Sequence, residues 1–398
     1  MEVLLRAPLL TNSGYGVHSR QIFEWLSSRK DITLKTSIVP WGHCSWIIDP
    51  DSHSGLIGQI MSKSISSEDT NKKYDISIQV QLPNEWDPNL AKRNIGVSAF
   101  VETDKCNPKW VEMCNKMNQV IVPSTFTKNT IKRSGMLTTK IHVVPEWFNH
   151  SLLNKSLCDK INNNDDRYKF NTKFNILIMG LITGSDEAND RKNVVNTLKW
   201  SIEAFEGNPD VGIVIKTGMG KCSKLDSVLS TGYLREVIKN TRKSQYPKVY
   251  LLHGNMSREE IAALYSNHSV KLFASATRGE GYGLPLIDAA AAGVPVVVTN
   301  WSGHLEFLDS ECFHKVKYNL KDVPDSKIDS NIFLKNFKWA EPDKEDFCKN
   351  LINVYENYDS AKTKSKIMKK KICQNFHKNK IKNLYNKNYQ GQRKTLAS

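Results

Sequence analysis

The stretch from Ser275 to Val298 reads Ser-Ala-Thr-Arg-Gly-Glu-Gly-Tyr-Gly-Leu-Pro-Leu-Ile-Asp-Ala-Ala-Ala-Ala-Gly-Val-Pro-Val-Val-Val, and few folds can use such a segment. Gly279, Gly281 and Gly283 alternate, so the backbone there can approach a ligand with no Cβ in the way. Pro285 suits the first turn of a helix, the alanine-rich run to Ala292 continues it, and Gly293 ends it. The run Val294 to Val298 lacks polar alternation, as expected of a strand covered on both faces. Amides at a helix N-terminus beside a glycine loop make an anion site. Glu280 and Asp288 frame it with carboxylates, which suits a ligand carrying both phosphates and hydroxyls, such as a nucleotide sugar.

The rest of the chain supplies an α/β setting for this stretch. Val3–Leu5 reads as a buried strand, Thr11–Val17 as a loop with Gly14 and Gly16, and His18–Leu26 as a helix. The loop is not a dinucleotide fingerprint, because its third glycine would fall at Ser19. Strands are expected at Leu34–Val39, Ile76–Leu82, Ile95–Val101, Gln119–Val122 and Ile141–Val144, with helices at Lys109–Met117 and from an N-cap at Ser124 to Ser134. Ser151–Lys173 is polar and Asn-rich and reads as a linker. The rhythm then restarts with strands at Phe174–Met179, Val211–Lys216, Val249–Leu252 and Val270–Ala274, a helix at Val194–Phe205, and a capping box at Ser257–Glu260. The expected fold class is α/β, with two Rossmann-like doubly wound domains facing a cleft. The boundaries fall at 1–160 for the acceptor side, 161–358 for the nucleotide-sugar side, and 359–398 for a basic C-terminal segment.

At this point the segment Arg278-Gly-Glu-Gly-Tyr-Gly-Leu-Pro-Leu-Ile-Asp288 resembles the E-x7-E region of family 4 glycosyltransferases, which have the GT-B fold and retain anomeric configuration. It departs from them at Asp288, one methylene shorter than the family's second Glu. The resemblance implies that Glu280 binds donor-sugar hydroxyls and that amides of Gly281, Tyr282, Gly283 and Leu284 meet sugar and phosphate. It also implies that Asp288 binds the ribose. The family's cations on the diphosphate map to Arg191 and Lys192 in Asp190-Arg-Lys-Asn193; its usual Arg after the strand glycine is absent, since Leu181 follows Gly180. Asn255 and Met256 match the loop that touches the base, and Gly14 and Gly16 are a donor contact or a tight turn. Phe100-Val-Glu-Thr-Asp104 is similar to a strand end in one branch of these enzymes, with Glu102 toward the acceptor or reacting sugar. The resemblance further implies a C-terminal helix that crosses back to the N-terminal domain.

No metal or cofactor is expected. Asp49-Pro-Asp51 reads as a turn rather than a metal-binding D-x-D, Gly218-Met-Gly-Lys221 fails the P-loop pattern twice, and the ten histidines show no ligand spacing. Eight cysteines without a C-x-x-C pair fit reduced thiols in a cytoplasmic protein. The net charge is +15, and residues 360–398 hold twelve Lys and Arg and no acid. That tail reads as a helix docked on the N-terminal domain, as a surface for an anionic membrane, or as a contact for nucleic acid. The expected partners are accordingly a nucleoside-diphosphate sugar and an acceptor glycan or lipid-linked glycan. Alternatives are a hydroxylated base in DNA or, in another class, a sugar-nucleotide epimerase or a sugar-binding module without catalysis.

Overall fold

Nearly continuous apolar runs in the strands require cover on both faces, and helices provide it in each half of the chain. The computed structural model describes residues 1–66, 73–100, 102–184 and 186–390. The chain divides into two units. Unit 1 holds Met1–Trp147, Asp329–Leu334 and the segment from Lys378 onward; unit 2 holds Phe148–Ile328 and Lys335–His377.

Unit 1 contains β1 (Glu2–Ala7), α1 (Gly14–Ser27), β2 (Thr33–Ile38), α2 (Leu56–Ser62), β3 (Tyr74–Val80), β4 (Ala91–Val97), α3 (Pro108–Lys116), β5 (Gln119–Val122), α4 (Thr125–Ser134) and β6 (Ile141–Val143). Its six strands pair in the order β2-β1-β3-β4-β5-β6, all parallel. Ser124 caps α4 by accepting from Thr127 N.

Unit 2 begins with α5 (Lys155–Asn164). It continues with β7 (Phe174–Met179), α6 (Val194–Ala204), β8 (Val211–Thr217), α7 (Lys224–Thr241), β9 (Lys248–His253), α8 (Arg258–Ser266), β10 (Val270–Ser275), α9 (Leu284–Ala292), β11 (Val296–Thr299) and β12 (His314–Val316). A hairpin, β13 (Tyr318–Asp322) and β14 (Lys338–Pro342), then precedes α10 (Lys344–Glu356) and α11 (Tyr358–Asn375). The parallel sheet runs β12-β11-β10-β7-β8-β9. One face buries Leu177, Val214, Phe273 and Ile287 beneath α8, α9 and α11. The other buries Ile176, Ile213, Leu198 and Phe347 beneath α6 and α10.

Two expectations change. Ser151–Lys173 is not a linker: it forms a short 3-10 turn at His150–Leu153, then α5, then a second turn at Asp166–Tyr168. Cys158 and Tyr168 are buried with unit 2, and Asn162 donates to Ala263 O at 2.9 Å. The polar composition hid this because only one stripe of α5 is apolar. The chain therefore divides after Trp147 rather than near 160.

The basic segment is likewise not one piece, since α11 packs in unit 2 through Met368 and Ile372. The last helix, α12 (Lys378–Gln390), belongs to unit 1. There Tyr385 stacks on Trp25 with centroids 4.8 Å apart, and its hydroxyl meets His18 Nε2 at 2.9 Å. Several tail cations serve the fold: Lys362 donates to Gly293 O at 2.6 Å, at the C-terminus of α9 where a cation is favoured, and Lys382 donates to Glu24 O at 2.9 Å. Residues 391–398 of the expected tail, and Val101 of the expected β4 strand, lie outside the described residues. Among the described residues no helix is long and apolar enough to cross a membrane.

Candidate functional site

In unit 2 the chain builds outward from β7 to β8 and β9, then returns to the other side of β7 with β10. That reversal parts the loops after β7 and β10, and ligands of open α/β sheets bind at such a point, beyond the carboxyl ends of the strands. The loop after β7 carries Arg191 and Lys192; the loop after β10 carries Arg278 to Gly283.

Hydrogen bonds lock the two loops together. Arg278 N donates to Arg191 O at 2.9 Å, and Arg191 Nη1 donates to Gly279 O at 2.6 Å. Arg278 is 3% exposed; its Nη1 donates to Glu187 O and Asp190 O, both at 2.7 Å, and its Nε lies 2.8 Å from Glu341 Oε2 on β14. Asp190 accepts from Val194 N at 2.8 Å, and Asn193, at φ +53°, donates to Ala276 O at 2.8 Å. The backbone on either side of Arg191 and Lys192 is thus fixed from several directions.

Lys192 Nζ lies 2.5 Å from Glu280 Oε2, and Thr277 Oγ1 donates to Glu280 Oε1 at 3.1 Å. Glu280 is 8% exposed. Burial pushes its carboxyl up, but the charges of Lys192 and Arg191, with the Lys192 hydrogen bond, outweigh burial and hold it below the ordinary range. Glu280 is therefore an anion set beside two cations.

The Glu280 backbone is clamped by residues that follow β11. Ser302 Oγ accepts from Glu280 N at 2.8 Å, and Gly303 N donates to Glu280 O at 2.8 Å. Ser302 sits at φ +96°, a conformation costing a non-glycine residue about 1–3 kcal/mol. A Cβ on Gly303 would stand 2.1 Å from Gly281 O, so no other residue fits there without movement. His304, fully buried, donates from Nε2 to Thr299 O at 2.8 Å, and burial lowers its pKa to about 4. It is neutral at physiological pH.

Gly283 takes φ +102° at the N-cap of α9 and brings no side-chain cap to that helix end. Gly281 and Gly283 are buried, Tyr282 is 3% exposed with its ring against Phe307, and Leu284 is partly buried. The glycine turn expected from the sequence leads into α9, with Lys192 and Glu280 at its side. Asp288, one turn into α9 and partly buried, accepts from Asn149 N at 2.7 Å. Burial raises its pKa to about 7 despite that bond and the charge of Arg258. Asn255 is exposed and Met256 partly buried in the turn between β9 and α8, and Met256 packs on the core below.

The remaining predicted residues lie in unit 1. Gly14 is exposed at the start of α1. Gly16 is buried, and a Cβ there would stand 2.1 Å from Thr11 O, so close packing already demands glycine at this position. Tyr15 between them donates or accepts with Ser98 Oγ at 2.8 Å and accepts from Ala99 N at 3.1 Å. Burial raises the Tyr15 phenol, and the charge of Glu102 adds to that effect. Phe100, at φ +55°, turns the chain after β4 toward Glu102, which is partly buried. Asp49-Pro-Asp51 is a turn, with Asp49 Oδ1 accepting from Asp51 N at 3.1 Å. Gly218–Lys221 is a loop held by Asp226, which accepts from Met219 N at 2.9 Å and Cys222 N at 2.7 Å.

Residues 201–319 match the family model described as Glycosyl transferases group 1. That span covers the site from Asn255 through Ser302 and leaves out Arg191 and Lys192. No curated protein matches the chain in sequence. Among solved structures, sucrose-phosphate synthase from Thermosynechococcus elongatus is similar over 100% of both chains, with a TM-score of 0.65 and 12% identity. A glycosyltransferase from Rickettsia africae is similar over 98% of each chain, with a TM-score of 0.65 and 15% identity. HepE from Anabaena, solved in complex with UDP-glucose, is similar over 98% of this chain and 100% of its own, with a TM-score of 0.64 and 11% identity. At such identities the likeness is one of fold. The chain has the GT-B fold, and over residues 201–319 it carries the sequence pattern of the group 1 glycosyl transferases.

Proposed function

We propose that this glycosyltransferase moves a hexosyl or pentosyl group from a nucleoside diphosphate to an acceptor hydroxyl, with retention of the anomeric configuration. The observation that carries the reading is the convergence of Arg191, on Gly279 O, and Lys192, on the Glu280 carboxylate, at the glycine turn before α9. A diphosphate lies against the two cations and the amides from Gly281 to Leu284. Glu280 accepts from hydroxyls of the donor sugar, Asp288 from the ribose, and the backbone at Asn255–Met256 borders the base.

As the bond from the anomeric carbon to the phosphate oxygen breaks, negative charge grows on the leaving diphosphate. Fixed cations stabilise that charge more in the transition state than in the ground state, and one such contact is worth roughly 10²–10³ in rate. The acceptor oxygen attacks from the face the diphosphate leaves. The acceptor proton passes to the departing phosphate oxygen, so atoms and charge balance without a protein base. Glu102, in unit 1, is assigned to the acceptor. The cation role falls to Arg191 and Lys192, and no metal is assigned. UDP-glucose is the first donor to test, because HepE, of the same fold, is solved with it.

The proposed acceptor is a glycan or lipid-linked glycan. A second reading, a hydroxylated base in DNA, draws on the exposed Lys364, Lys366 and Lys370 of α11, which suit a polyanion or an anionic membrane surface of a cytoplasmic protein. Incubation with a panel of nucleotide sugars, followed by NMR of the product, tests the reaction. The donor's anomeric configuration is expected in the product; an inverted linkage rules out retention, and isomerised donor without transfer rules out the transferase.

A further inference from the structure

The hairpin β13–β14 forms a two-stranded sheet of its own in unit 2, paired from Tyr318 with Pro342 to Asp322 with Lys338. A lone ribbon has little stability by itself, so what it packs on decides its role. In β14, Ala340 N donates to Arg278 O at 3.0 Å and the Trp339 ring lies 5.6 Å from the Arg278 guanidinium. The Glu341 carboxylate accepts from Arg278 Nε at 2.8 Å and from Nη2 at 3.1 Å. In β13, the Tyr318 ring packs on Trp301, the neighbour of Ser302 in the loop after β11, with centroids 6.2 Å apart.

The 3-10 turn Asp325–Lys327 that follows β13 grips the loop after β7. Ser326 Oγ donates to Asn189 Oδ1 at 2.7 Å, and Lys327 Nζ donates to Thr183 O at 3.1 Å. One hairpin thus backs all three loops that carry Arg191, Lys192, Glu280 and Ser302. The mechanism above uses none of its residues.

Arg278 carries this grip to Arg191. Its Nη1 donates to Asp190 O at 2.7 Å, in the peptide that enters Arg191, and its N donates to Arg191 O at 2.9 Å, in the peptide that joins Arg191 to Lys192. Peptide groups are planar, so holding the planes on both sides fixes the direction in which the Arg191 side chain leaves the backbone. Arg278 does this only while its fork points Nη1 at Asp190. The carboxylate of Glu341, meeting the other edge of the guanidinium through two bonds, selects that orientation. The side chains of Arg278 and Glu341 are 4% and 22% exposed, so removing the carboxylate charge leaves a buried cation uncompensated beside Arg191 and Lys192.

We propose that Glu341 is a positioning residue for the diphosphate of the donor: acting through Arg278, it sets the backbone from which Arg191 and Lys192 reach the phosphates. This deepens the transferase reading and rests on it. A pair that served stability alone would affect every part of a bound nucleotide alike, whereas a positioning pair affects the phosphates and spares the base.

The test uses the full chain. UDP, GDP, ADP and dTDP are titrated calorimetrically, and the nucleoside of the tightest is followed by saturation-transfer NMR. Glu341→Gln keeps an oxygen for Arg278 and removes the charge. It should weaken the nucleoside diphosphate by about tenfold or more, equivalent to about 1.4 kcal/mol, and leave the affinity of the nucleoside unchanged. Hydrogen exchange at the amides from Asn189 to Asn193 should quicken, while that of β7 and β8 stays as in the wild type. A second variant, Ser326→Ala with Lys327→Ala, cuts the other hold on the same loop at an exposed and a half-exposed residue. It should show the same selective loss, severalfold in size, and it decides the matter if Glu341→Gln does not fold.

Equal losses for the diphosphate and the nucleoside assign the pair to stability alone and overturn the proposal. Undiminished diphosphate affinity in the folded variants overturns it as well. In both cases the wild type still binds a nucleoside diphosphate, so the positioning role fails and the donor site stands. A wild type that binds none of the four sinks the donor-site reading itself, and the two failures are distinct.

Discussion

Lys192 Nζ and Glu280 Oε2 meet at 2.5 Å, joining the loop after β7 to the loop after β10 across the switch point of the unit 2 sheet. With 24% and 10% of the two side chains exposed, this is a largely desolvated pair. Removing one partner leaves the other buried and uncompensated, which costs more than the pair itself contributes. Lys192→Ala is therefore expected to lower transfer by about 10²–10³ and to destabilise unit 2 by about 1–3 kcal/mol. Steady-state rates with denaturant unfolding check both parts. Lys192→Arg, which keeps the charge, should recover most of the stability.

Asp288 gives a pH signature. Its carboxyl has an ordinary value of 3.8 and is raised to about 7 in the folded chain. The folded state therefore holds a proton that the unfolded state has lost. Its stabilising contribution is complete below about pH 4 and disappears as pH rises through 7. Asp288→Asn keeps an oxygen for Asn149 N but does not titrate. The melting temperature of this variant, minus that of the wild type, should grow from pH 4 to pH 7 and level off above. A difference that stays constant over that range contradicts the assignment.

Gly303→Ala introduces a Cβ that would stand 2.1 Å from Gly281 O, inside the turn that precedes α9. The turn must move, so this single methyl should both lower the melting temperature and abolish the thermal shift given by UDP. Gly220→Ala is the matched control. Its Cβ meets nothing nearer than Asp226 Oδ2 at 4.0 Å, and its stability should stay within about 0.5 kcal/mol of wild type.

Trp25 is 2% exposed and joins α1 to α12 by its stack on Tyr385 and a hydrogen bond from Nε1 to Asn386 Oδ1 at 2.9 Å. Trp25→Ala should cost about 3–5 kcal/mol, the range for truncating a buried aromatic. It should also release α12, seen as new proteolytic cleavage after His377 that the wild type resists.

How legible all this was in the sequence depends on the distance over which each residue finds its partner. The strands of both parallel sheets other than β12, the capping box at Ser257, and the course of α9 from its glycine turn to Gly293 at φ +73° followed from local pattern. Local pattern also marked Glu280 beside the glycine loop, whereas Arg191 and Lys192 were singled out by the family resemblance. It did not reveal Arg278 as the residue that holds the loops, because its partners Glu187, Asp190 and Glu341 lie 63 to 91 residues away. Ser302, Gly303 and Asn149 escaped for the same reason.

Helix α7 escaped differently. Leu225, Val228 and Leu229 are 58–69% exposed, so its apolar residues do not mark its buried side. Gly16 was left open between a donor contact and a tight turn, and its close approach to Thr11 is by itself reason enough for glycine there.

The central claim is that the nucleotide sugar is held by unit 2 through Arg191, Lys192 and Glu280. Calorimetric titration of UDP-glucose and a panel of other nucleotide sugars into the wild type and into the double variant Arg191→Ala, Lys192→Ala tests it directly. One donor is predicted to bind the wild type with one-to-one stoichiometry, and the double variant, still folded by circular dichroism, should weaken it by at least about a hundredfold, or about 2.7 kcal/mol. Equal affinity in the two proteins would contradict the account.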